Sequence, residues 1–256
     1  MSHKAEELKI KSKLKLILNF IATLLLIPML LLQALWVRFK TLKLPEPNGK
    51  RSGHCGEGKE ISLLIIGDSA AAGVGVSKQT DALAGQLSKI LSVTHKVNWT
   101  LIANSGLTSA ELIEKFNTLT LQKFDHILIS IGVNDVVKVT TESHWVNNMS
   151  VLINLLNTKY NTSKVIFSHI PPMHLFTTIP QPLRWWIGKR AKRFNQLLTL
   201  SIEHNEQCSA LTLDIPFNQK YLAEDQFHPS IHAYNIWAKL ASDSINLSSQ
   251  RGSTTH

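Results

Sequence analysis

The stretch Ile61-Ser62-Leu63-Leu64-Ile65-Ile66-Gly67-Asp68-Ser69 sets the architecture of this chain. Five of its first six residues are aliphatic, which is typical of a central parallel strand that is covered on both faces. The strand ends abruptly at Gly67, and Ser69 follows at the position where open α/β sheets bind their ligands. Residues 70–73 are all small, so another group can approach the serine closely. We therefore take Ser69 as a candidate nucleophile.

Beyond this strand, stretches with strand character alternate with stretches of helical spacing. The sequence predicts strands at 97–103, 126–131, 164–168 and 210–214, and helices at 81–91, 109–116, 143–160, 182–204 and 231–245. Such alternation implies a parallel sheet that is built from right-handed crossovers. Because the carboxyl ends of parallel strands share one edge, we expect the residues that follow these strands to converge there.

Residues of three further motifs suit acyl-transfer chemistry. His228 can act as a general base toward Ser69, and Asp225, three residues earlier, can orient the imidazole and stabilise the imidazolium. A tetrahedral intermediate also needs hydrogen-bond donors that point at its oxyanion. The backbone N–H groups of Ser69 and Gly106 and the side-chain amide of Asn134 are suitable donors.

Each of these residues also has an ordinary structural interpretation. Taken alone, Ser69 is a suitable helix N-cap, Asn134 is a suitable turn residue, and His228 suits a loop. Their joint occurrence favours catalysis over these separate interpretations. We interpret Asp68 and Asp135 as structural carboxylates that accept hydrogen bonds from local backbone N–H groups.

The motifs occur in a fixed order along the chain: Gly67-Asp68-Ser69, Asn104-Ser105-Gly106, Gly132-Val133-Asn134-Asp135 and Asp225-Gln226-Phe227-His228-Pro229. In this order they resemble the SGNH hydrolase superfamily, also called GDSL-type esterases and lipases, over about residues 60–247. The resemblance implies a flavodoxin-like three-layer α/β/α sandwich, with a five-stranded parallel sheet of order 2-1-3-4-5. It also implies Ser69, Asp225 and His228 as catalytic residues and Ser69, Gly106 and Asn134 as the oxyanion hole, without a metal or an organic cofactor. Alanine at position 71 separates the serine motif from the Gly-x-Ser-x-Gly elbow of α/β-hydrolases.

The N-terminus combines basic residues with a long apolar run. Residues 1–15 carry five lysines, and residues 16–37 contain no charged side chain. About 22 helical residues span roughly 33 Å, which matches the hydrocarbon core of a bilayer. We find no convincing small-x-small cleavage site before Arg38, so the sequence favours an uncleaved transmembrane anchor over a signal peptide.

Basic residues flank the apolar run on both sides, so the positive-inside signal is nearly balanced. We expect the short N-terminal tail to lie inside and the catalytic domain to lie on the extracytoplasmic side. The predicted map is a basic tail at 1–15, a transmembrane anchor at 16–37, a linker at 38–59, the SGNH hydrolase domain at 60–247 and a disordered tail at 248–256.

The chain carries a formal net charge of +9, and basic residues recur beside Trp185 and Trp186 in the helix predicted at 182–204. A solvated helix face with packed tryptophans is the first interpretation, and an interfacial helix on anionic lipid is the second. The charge comes without a nucleic-acid-binding signature, so we expect no nucleic-acid partner. Cys55 and Cys208 are interpreted as unrelated thiols, with a single disulfide bridge as the alternative.

The sequence therefore predicts a membrane-anchored serine esterase that works through an acyl-enzyme. We expect its substrate to be a lysophospholipid or fatty acyl ester, and the alternative substrate is an O-acetylated envelope polysaccharide. A non-catalytic, membrane-tethered binding domain is the alternative of a different class. We expect the loop at 173–181, with Leu175, Phe176 and Ile179, to line an acyl pocket.

Overall fold

The structure, a computed structural model, describes residues 26–119, 123–159 and 164–252 of the chain. The strands are β1 (Ser52–Cys55), β2 (Lys59–Gly67), β3 (His95–Ala103), β4 (His126–Ser130), β5 (Lys164–Ser168) and β6 (Cys208–Leu211). The helices are α1 (26–40), α2 (Ser69–Ala72), α3 (Leu83–Leu91), α4 (Ser109–Thr118), α5 (Val133–Val137), α6 (Glu142–Lys159), α7 (Leu183–Ile202) and α8 (Ile231–Gly252). From β2 onward strands and helices alternate, as the sequence predicts.

The strands form one mixed sheet with the spatial order β1-β3-β2-β4-β5-β6. All neighbours from β3 to β6 pair in parallel, and their order is the predicted 2-1-3-4-5. The prediction of a purely parallel five-stranded sheet is wrong in one respect. The sheet has an additional strand, β1, which pairs antiparallel with β3. Helices cover both faces of the sheet, so the molecule has the expected three layers.

The prediction of a linker at 38–59 also needs correction, because this segment contains β1 and the first residue of β2. Its prolines and glycines predict an extended linker, and its backbone is held by hydrogen bonds to the domain. Asn48 donates its N–H to Ser77 O at 3.0 Å and accepts the N–H of Gln79 at 2.8 Å. β1 itself has only four residues and no aliphatic side chain, so it lacks the alternation that marks a strand.

The core consists of two apolar layers, one on each face of the sheet. Leu64 and Ile66 of β2 point into the layer beneath α4, α6 and α7, whereas Leu63 and Ile65 point into the layer beneath α3 and α8. All four side chains are fully buried. This burial on both faces explains why β2 is an almost continuous aliphatic run rather than an alternating strand.

Helix α1 contacts the rest of the molecule along a narrow stripe that includes Leu30, Gln33 and Val37. The Gln33 amide donates to Gln181 O at 2.7 Å and accepts the N–H of Leu183 at 3.1 Å, which satisfies a free donor at the start of α7. Of the predicted anchor, residues 16–25 lie outside the described residues, as does the basic tail at 1–15. Within the described part of the chain, no helix has the length and apolar character needed to cross a membrane.

The two cysteines lie on the outermost strands, Cys55 on β1 and Cys208 on β6. Five strand spacings separate these edges, or about 24 Å, which is far beyond the reach of a disulfide bond. Both thiols are free, which confirms the interpretation as unrelated cysteines. At the C-terminus, α8 continues to Gly252, so the tail predicted as disordered from residue 248 is helical up to that point, and residues 253–256 lie outside the described residues.

Candidate active site

Ser69 is the first residue of α2 and lies half-buried just beyond the carboxyl end of β2. Gly67 lets the ends of β2 and β4 approach closely, because a Cβ at this position would lie 2.0 Å from the carbonyl oxygen of Ser130. Asp68 donates its N–H to the same carbonyl at 3.1 Å, and its buried carboxylate accepts the N–H of Ala70 at 3.1 Å. The serine is thus fixed at the sheet edge, and Asp68 has the structural role that the sequence suggests.

His228 bridges Ser69 and Asp225 with its two ring nitrogens. Its Nε2 lies 2.9 Å from Ser69 Oγ, and its Nδ1 lies 2.5 Å from Asp225 Oδ2. Because a carboxylate only accepts, Nδ1 donates the proton to Asp225, and Nε2 is left to accept the hydroxyl proton of Ser69. This is the tautomer that a general base needs.

The loop around Asp225 holds this carboxylate rigidly. Its Oδ1 accepts the backbone N–H groups of Phe227 at 3.0 Å and His228 at 2.9 Å. Ala223 closes the turn by donating its N–H to His228 O at 2.8 Å. Burial acts to raise the pKa of Asp225, but the hydrogen bonds from His228 outweigh it and hold this pKa below its ordinary value. The carboxylate is therefore charged at neutral pH and can stabilise a protonated imidazole.

Gly106 lies in the loop that follows β3, and Asn134 lies in α5, which follows β4. The backbone of Gly106 has φ +86°, and an added Cβ there would have no neighbour within 4 Å, so this face of the glycine is open. Asn104 donates its N–H to Gly67 O at 3.1 Å and thereby ties the loop to the end of β2. The side-chain amide of Asn134 donates to Leu107 O at 2.9 Å, which fixes it against the same loop.

Asp135 holds α5 against α4 and so supports Asn134. Its fully buried carboxylate accepts the N–H of Ser109 at 2.9 Å and the hydroxyl of Ser109 at 2.6 Å. Asn148 donates to the same hydroxyl oxygen at 2.8 Å. Burial raises the pKa of Asp135. The hydrogen bonds of Asp135 hold neighbouring segments together, which agrees with its interpretation from the sequence as a structural carboxylate.

A mainly apolar cavity of about 90 Å³ adjoins Ser69 and His228. Three phenylalanines form one side of it, with Phe176 centred 4.7 Å from Phe217 and 4.9 Å from Phe227. Further lining comes from the ends of the strands and the helix that follows them: Ile131, His169, Ile170, Leu213, Ile215 and Trp237. An apolar cavity beside a serine and a histidine can hold the hydrocarbon part of an acyl group.

The expectation for the loop at 173–181 is met in part. Phe176 lines the cavity, but Leu175 is exposed and Ile179 is buried in the core without lining it. Sequence reasoning missed Phe217 and Trp237, because they lie in segments without a motif. Phe227 carried a usable signal, since it stands next to His228 in the fourth motif.

Comparison with known proteins identifies a family and several solved structures with a similar fold. Residues 65–236 match the family model of GDSL-like lipases and acylhydrolases. No curated protein sequence matches the chain. Among solved structures, a lipase from a goat rumen metagenome is 20% identical, with 72% of this chain and 97% of that chain covered and a TM-score of 0.59.

Two further solved structures have the same fold. A psychrotrophic esterase from Pseudoalteromonas sp. is 21% identical, with 72% of this chain and 96% of that chain covered and a TM-score of 0.59. An acetylxylan esterase from Geobacillus stearothermophilus is 18% identical, with 73% and 95% covered and a TM-score of 0.55. At such identities the likeness concerns the three-layer fold, and the site must be judged from its own geometry.

Proposed function

This chain belongs to the GDSL-like lipase/acylhydrolase family and is a carboxylic ester hydrolase, and from that premise we propose that it is a membrane-anchored serine esterase. The proposed catalytic residues are Ser69, Asp225 and His228. The single observation that carries the serine mechanism is the unbroken hydrogen-bonded chain from Asp225 through His228 to Ser69, with distances of 2.5 and 2.9 Å. Family membership removes the basis for the alternative of a non-catalytic binding domain.

The first half-reaction forms an acyl-enzyme. Ser69 Oγ attacks the carbonyl carbon of the ester while His228 Nε2 takes the hydroxyl proton, and Asp225 stabilises the imidazolium. The carbonyl oxygen becomes an oxyanion, which accepts hydrogen bonds from the N–H groups of Ser69 and Gly106 and from the Asn134 amide. When the intermediate collapses, the bond to the alcohol breaks and His228 returns the proton to the leaving oxygen.

The second half-reaction repeats these steps with water as the nucleophile. His228 removes a proton from the water as it attacks the acyl carbon, and the same donors stabilise the second oxyanion. Collapse breaks the bond to Ser69 Oγ, which regains its proton from His228. The products are a carboxylic acid and an alcohol, and every group that moves a proton is a side chain of this protein.

The exposed surface of α1 supports attachment to a membrane. Its large apolar side chains outside the contact stripe are 39% to 84% exposed: Ile27, Met29, Leu31, Leu32, Leu35, Trp36 and Phe39. A surface helix of a globular domain turns charged and polar residues outward, whereas a helix that is apolar all round is buried or lies in lipid. The Lys40 ammonium lies 4.6 Å from the Trp36 ring, a pairing that suits a headgroup region.

The start of α7 also supports attachment of this part of the molecule to a membrane. Trp185 is 49% exposed with Lys189 4.2 Å from its ring, whereas Trp186 packs against the core beneath Arg190. The packed-tryptophan interpretation thus fits Trp186, and the interfacial interpretation fits Trp185. Gln33 of α1 contacts Leu183 of α7. The exposed Trp36 and Trp185 therefore both lie within one helical turn of this contact.

A lipid-derived ester is the proposed substrate, a lysophospholipid or fatty acyl ester. The segment between β5 and α7 lines the apolar cavity at Phe176 and contacts α1 at Gln181. A membrane helix at this position would keep the cavity wall close to the bilayer. As expected from the sequence, we propose that the catalytic domain lies on the extracytoplasmic side of a single N-terminal anchor.

The size of the cavity favours a second candidate, an O-acetyl esterase that acts on envelope polysaccharide. A cavity of about 150 Å³ accommodates benzene, so the smaller volume of about 90 Å³ suits an acyl group of a few carbons. A longer chain would have to leave the cavity and continue along its rim. The length of the preferred acyl chain therefore separates the two candidates.

The test is hydrolysis of p-nitrophenyl acetate, butyrate and dodecanoate by the full chain in detergent micelles. Ser69→Ala and His228→Ala should each lower kcat by about a thousandfold or more, because nucleophile and base act as one unit. Ser209→Ala and His232→Ala replace exposed residues of the same types and should leave the rate unchanged.

The outcomes are distinct. Preference for dodecanoate favours the lipid substrate, and strict preference for acetate favours the O-acetyl substrate. Unchanged hydrolysis by Ser69→Ala would show that the proposed nucleophile is wrong.

A further inference from the structure

Glu46 lies in the segment between α1 and β1, outside every motif of the site. It contacts the loop that carries Ser105 and Gly106. Its Oε1 accepts the backbone N–H of Ser105 at 2.8 Å and the hydroxyl of Ser105 at 2.9 Å. The Glu46 side chain is 29% exposed, so these bonds form at the margin of the molecule rather than in its core. Ser105 immediately precedes Gly106, the proposed oxyanion donor.

Arg51 fixes the other oxygen of this carboxylate. Its guanidinium donates to Glu46 Oε2 at 2.9 Å and also to the carbonyl oxygen of Ala103, the last residue of β3. Burial acts to raise the pKa of Glu46, but the bond from the Ser105 N–H and the pairing with Arg51 outweigh it and lower this pKa. A charged acceptor is thus held between the end of β3 and the loop that follows it.

The opposite side of the loop is held by a separate contact. Lys138, which follows α5, donates to the carbonyl oxygen of Gly106 at 3.1 Å and lies 3.5 Å from Glu111. Glu111 in turn accepts the N–H of Thr108 at 2.7 Å in the capping box of α4. The N–H of Ser105 and the carbonyl group of Gly106 therefore each have a side-chain partner, and one of these partners, Glu46, precedes the predicted hydrolase domain.

From these contacts we infer that Glu46 is a positioning residue, which directs the oxyanion-hole N–H of Gly106 by holding Ser105. The direction of that N–H depends on the backbone torsions of Ser105, and Glu46 fixes the residue at both its N–H and its hydroxyl. Gly106 needs such external support, because its own φ of +86° and missing side chain leave it conformationally free. The inference rests on the proposed serine mechanism.

The effect of Glu46 should appear in the chemical step. Deleting an oxyanion donor outright lowers kcat by about 10²–10³, so a donor that is present but misdirected should cost about tenfold. The ester carbonyl of the bound substrate is not yet an oxyanion, so KM should stay close to its wild-type value. A tetrahedral boronic acid adduct on Ser69 should weaken by the same factor as kcat falls.

The experiment compares Glu46→Ala and Glu46→Gln with wild type in kcat, KM, boronic acid inhibition constant and thermal midpoint. Glu46→Gln keeps an acceptor for Ser105 and should restore most of the rate that Glu46→Ala loses. Glu60→Gln is the matched control, because Glu60 pairs with Lys96 at 3.0 Å at the amino end of β2, away from the site. Ser105→Ala should add little to Glu46→Ala, because the two residues act through one contact.

Each outcome decides the inference. A fall in kcat with unchanged KM, matched by the boronic acid and restored by Glu46→Gln, supports it. Wild-type kcat in Glu46→Ala overturns it, and so does a loss that follows only the thermal midpoint. Ester hydrolysis that survives Ser69→Ala would instead overturn the proposed function, and this inference with it.

Discussion

At the scale of single residues, Gly106 combines an unfavourable backbone conformation with a proposed oxyanion-hole N–H. Its φ of +86° is unfavourable for any residue with a Cβ, although an added Cβ would have no neighbour within 4 Å. Gly106→Ala should cost about 1 kcal/mol of stability from the backbone and should lower kcat by about tenfold or more through a displaced N–H.

Gly58→Ala is the matched control for this prediction. Gly58 has φ +105° and precedes β2 at the end of the strand remote from Ser69. Gly58→Ala should lose at least as much stability, because its Cβ would also lie 3.0 Å from the carbonyl oxygen of Thr94, and it should keep its rate. Equal losses of rate in the two variants, measured with p-nitrophenyl butyrate at a temperature where both are folded, would contradict a special role for Gly106.

Asp68 gives a prediction about pH. Burial raises its pKa to about 7, well above the ordinary value of 3.8. The folded protein therefore keeps this proton between about pH 4 and 7 while the unfolded chain releases it, so stability falls as pH rises through that range. The carboxyl group should thus cost a few kcal/mol of folding free energy at pH 8 relative to pH 4.

Asp68→Asn removes this titration while keeping an acceptor for the N–H of Ala70. Its free energy of unfolding, measured by urea denaturation at intervals between pH 4 and 8, should change less with pH than that of wild type. The difference between the two proteins should grow as pH rises. A constant difference would show that the carboxyl group of Asp68 does not titrate in this range.

The hydrogen bonds that join Ser69, His228 and Asp225 agree with the sequence prediction, whereas the contacts that hold the neighbouring loops are harder to predict. Ser69, Gly106 and Asn134 follow strands whose ends must converge in a parallel sheet, so their proximity can be inferred from the sequence alone. Glu46 offers no such signal, because its contact with Ser105 depends on how a Pro-rich segment folds back over the sheet. Side-chain contacts across unrelated loops are set by tertiary packing rather than by a local pattern.

At the scale of elements, the segments after β5 and β6 determine the cavity. Phe217 closes its outer side, edge-on to Phe176, and is only partly buried. Phe217→Ala should enlarge the cavity and raise kcat/KM for dodecanoate relative to acetate by several-fold, since each additional buried CH₂ contributes about 0.8 kcal/mol.

Leu175→Ala is the control, because Leu175 belongs to the same region but is exposed and does not line the cavity. Its ratio of dodecanoate to acetate rates should equal that of wild type. If Phe217→Ala also leaves the ratio unchanged, the acyl chain lies elsewhere.

The elements themselves are predictable where burial imposes a pattern. β2 and β4 are aliphatic because both faces are covered, and α3 and α4 carry one apolar face each. β1 is a four-residue edge strand of polar and small residues, so only its pairing with β3 defines it. The prediction of a linker there reflects composition, which does not reveal pairing.

At the scale of the whole molecule, the exposed side of α1 gives a testable surface. Phe39 is 84% exposed, as is Val93 at the end of α3, remote in sequence from α1. Phe39→Asp combined with Leu35→Asp should reduce flotation of the full chain with vesicles of phosphatidylcholine and phosphatidylglycerol. Burying charges in the interface costs free energy, and new carboxylates are repelled by anionic lipid.

Val93→Asp should float like wild type. Equal flotation of the α1 variant and wild type would show that this face does not touch lipid. The two variants should hydrolyse p-nitrophenyl acetate in micelles equally, because neither site belongs to the catalytic residues.

The contact between His228 and Ser69 joins positions 159 residues apart in the chain. During synthesis Ser69 therefore emerges long before His228, and under the proposed mechanism a nascent chain that lacks His228 cannot hydrolyse an ester. Ester turnover that depends on both residues would thus report that these two distant positions have come together, which a fluorescence or circular dichroism signal from one region does not.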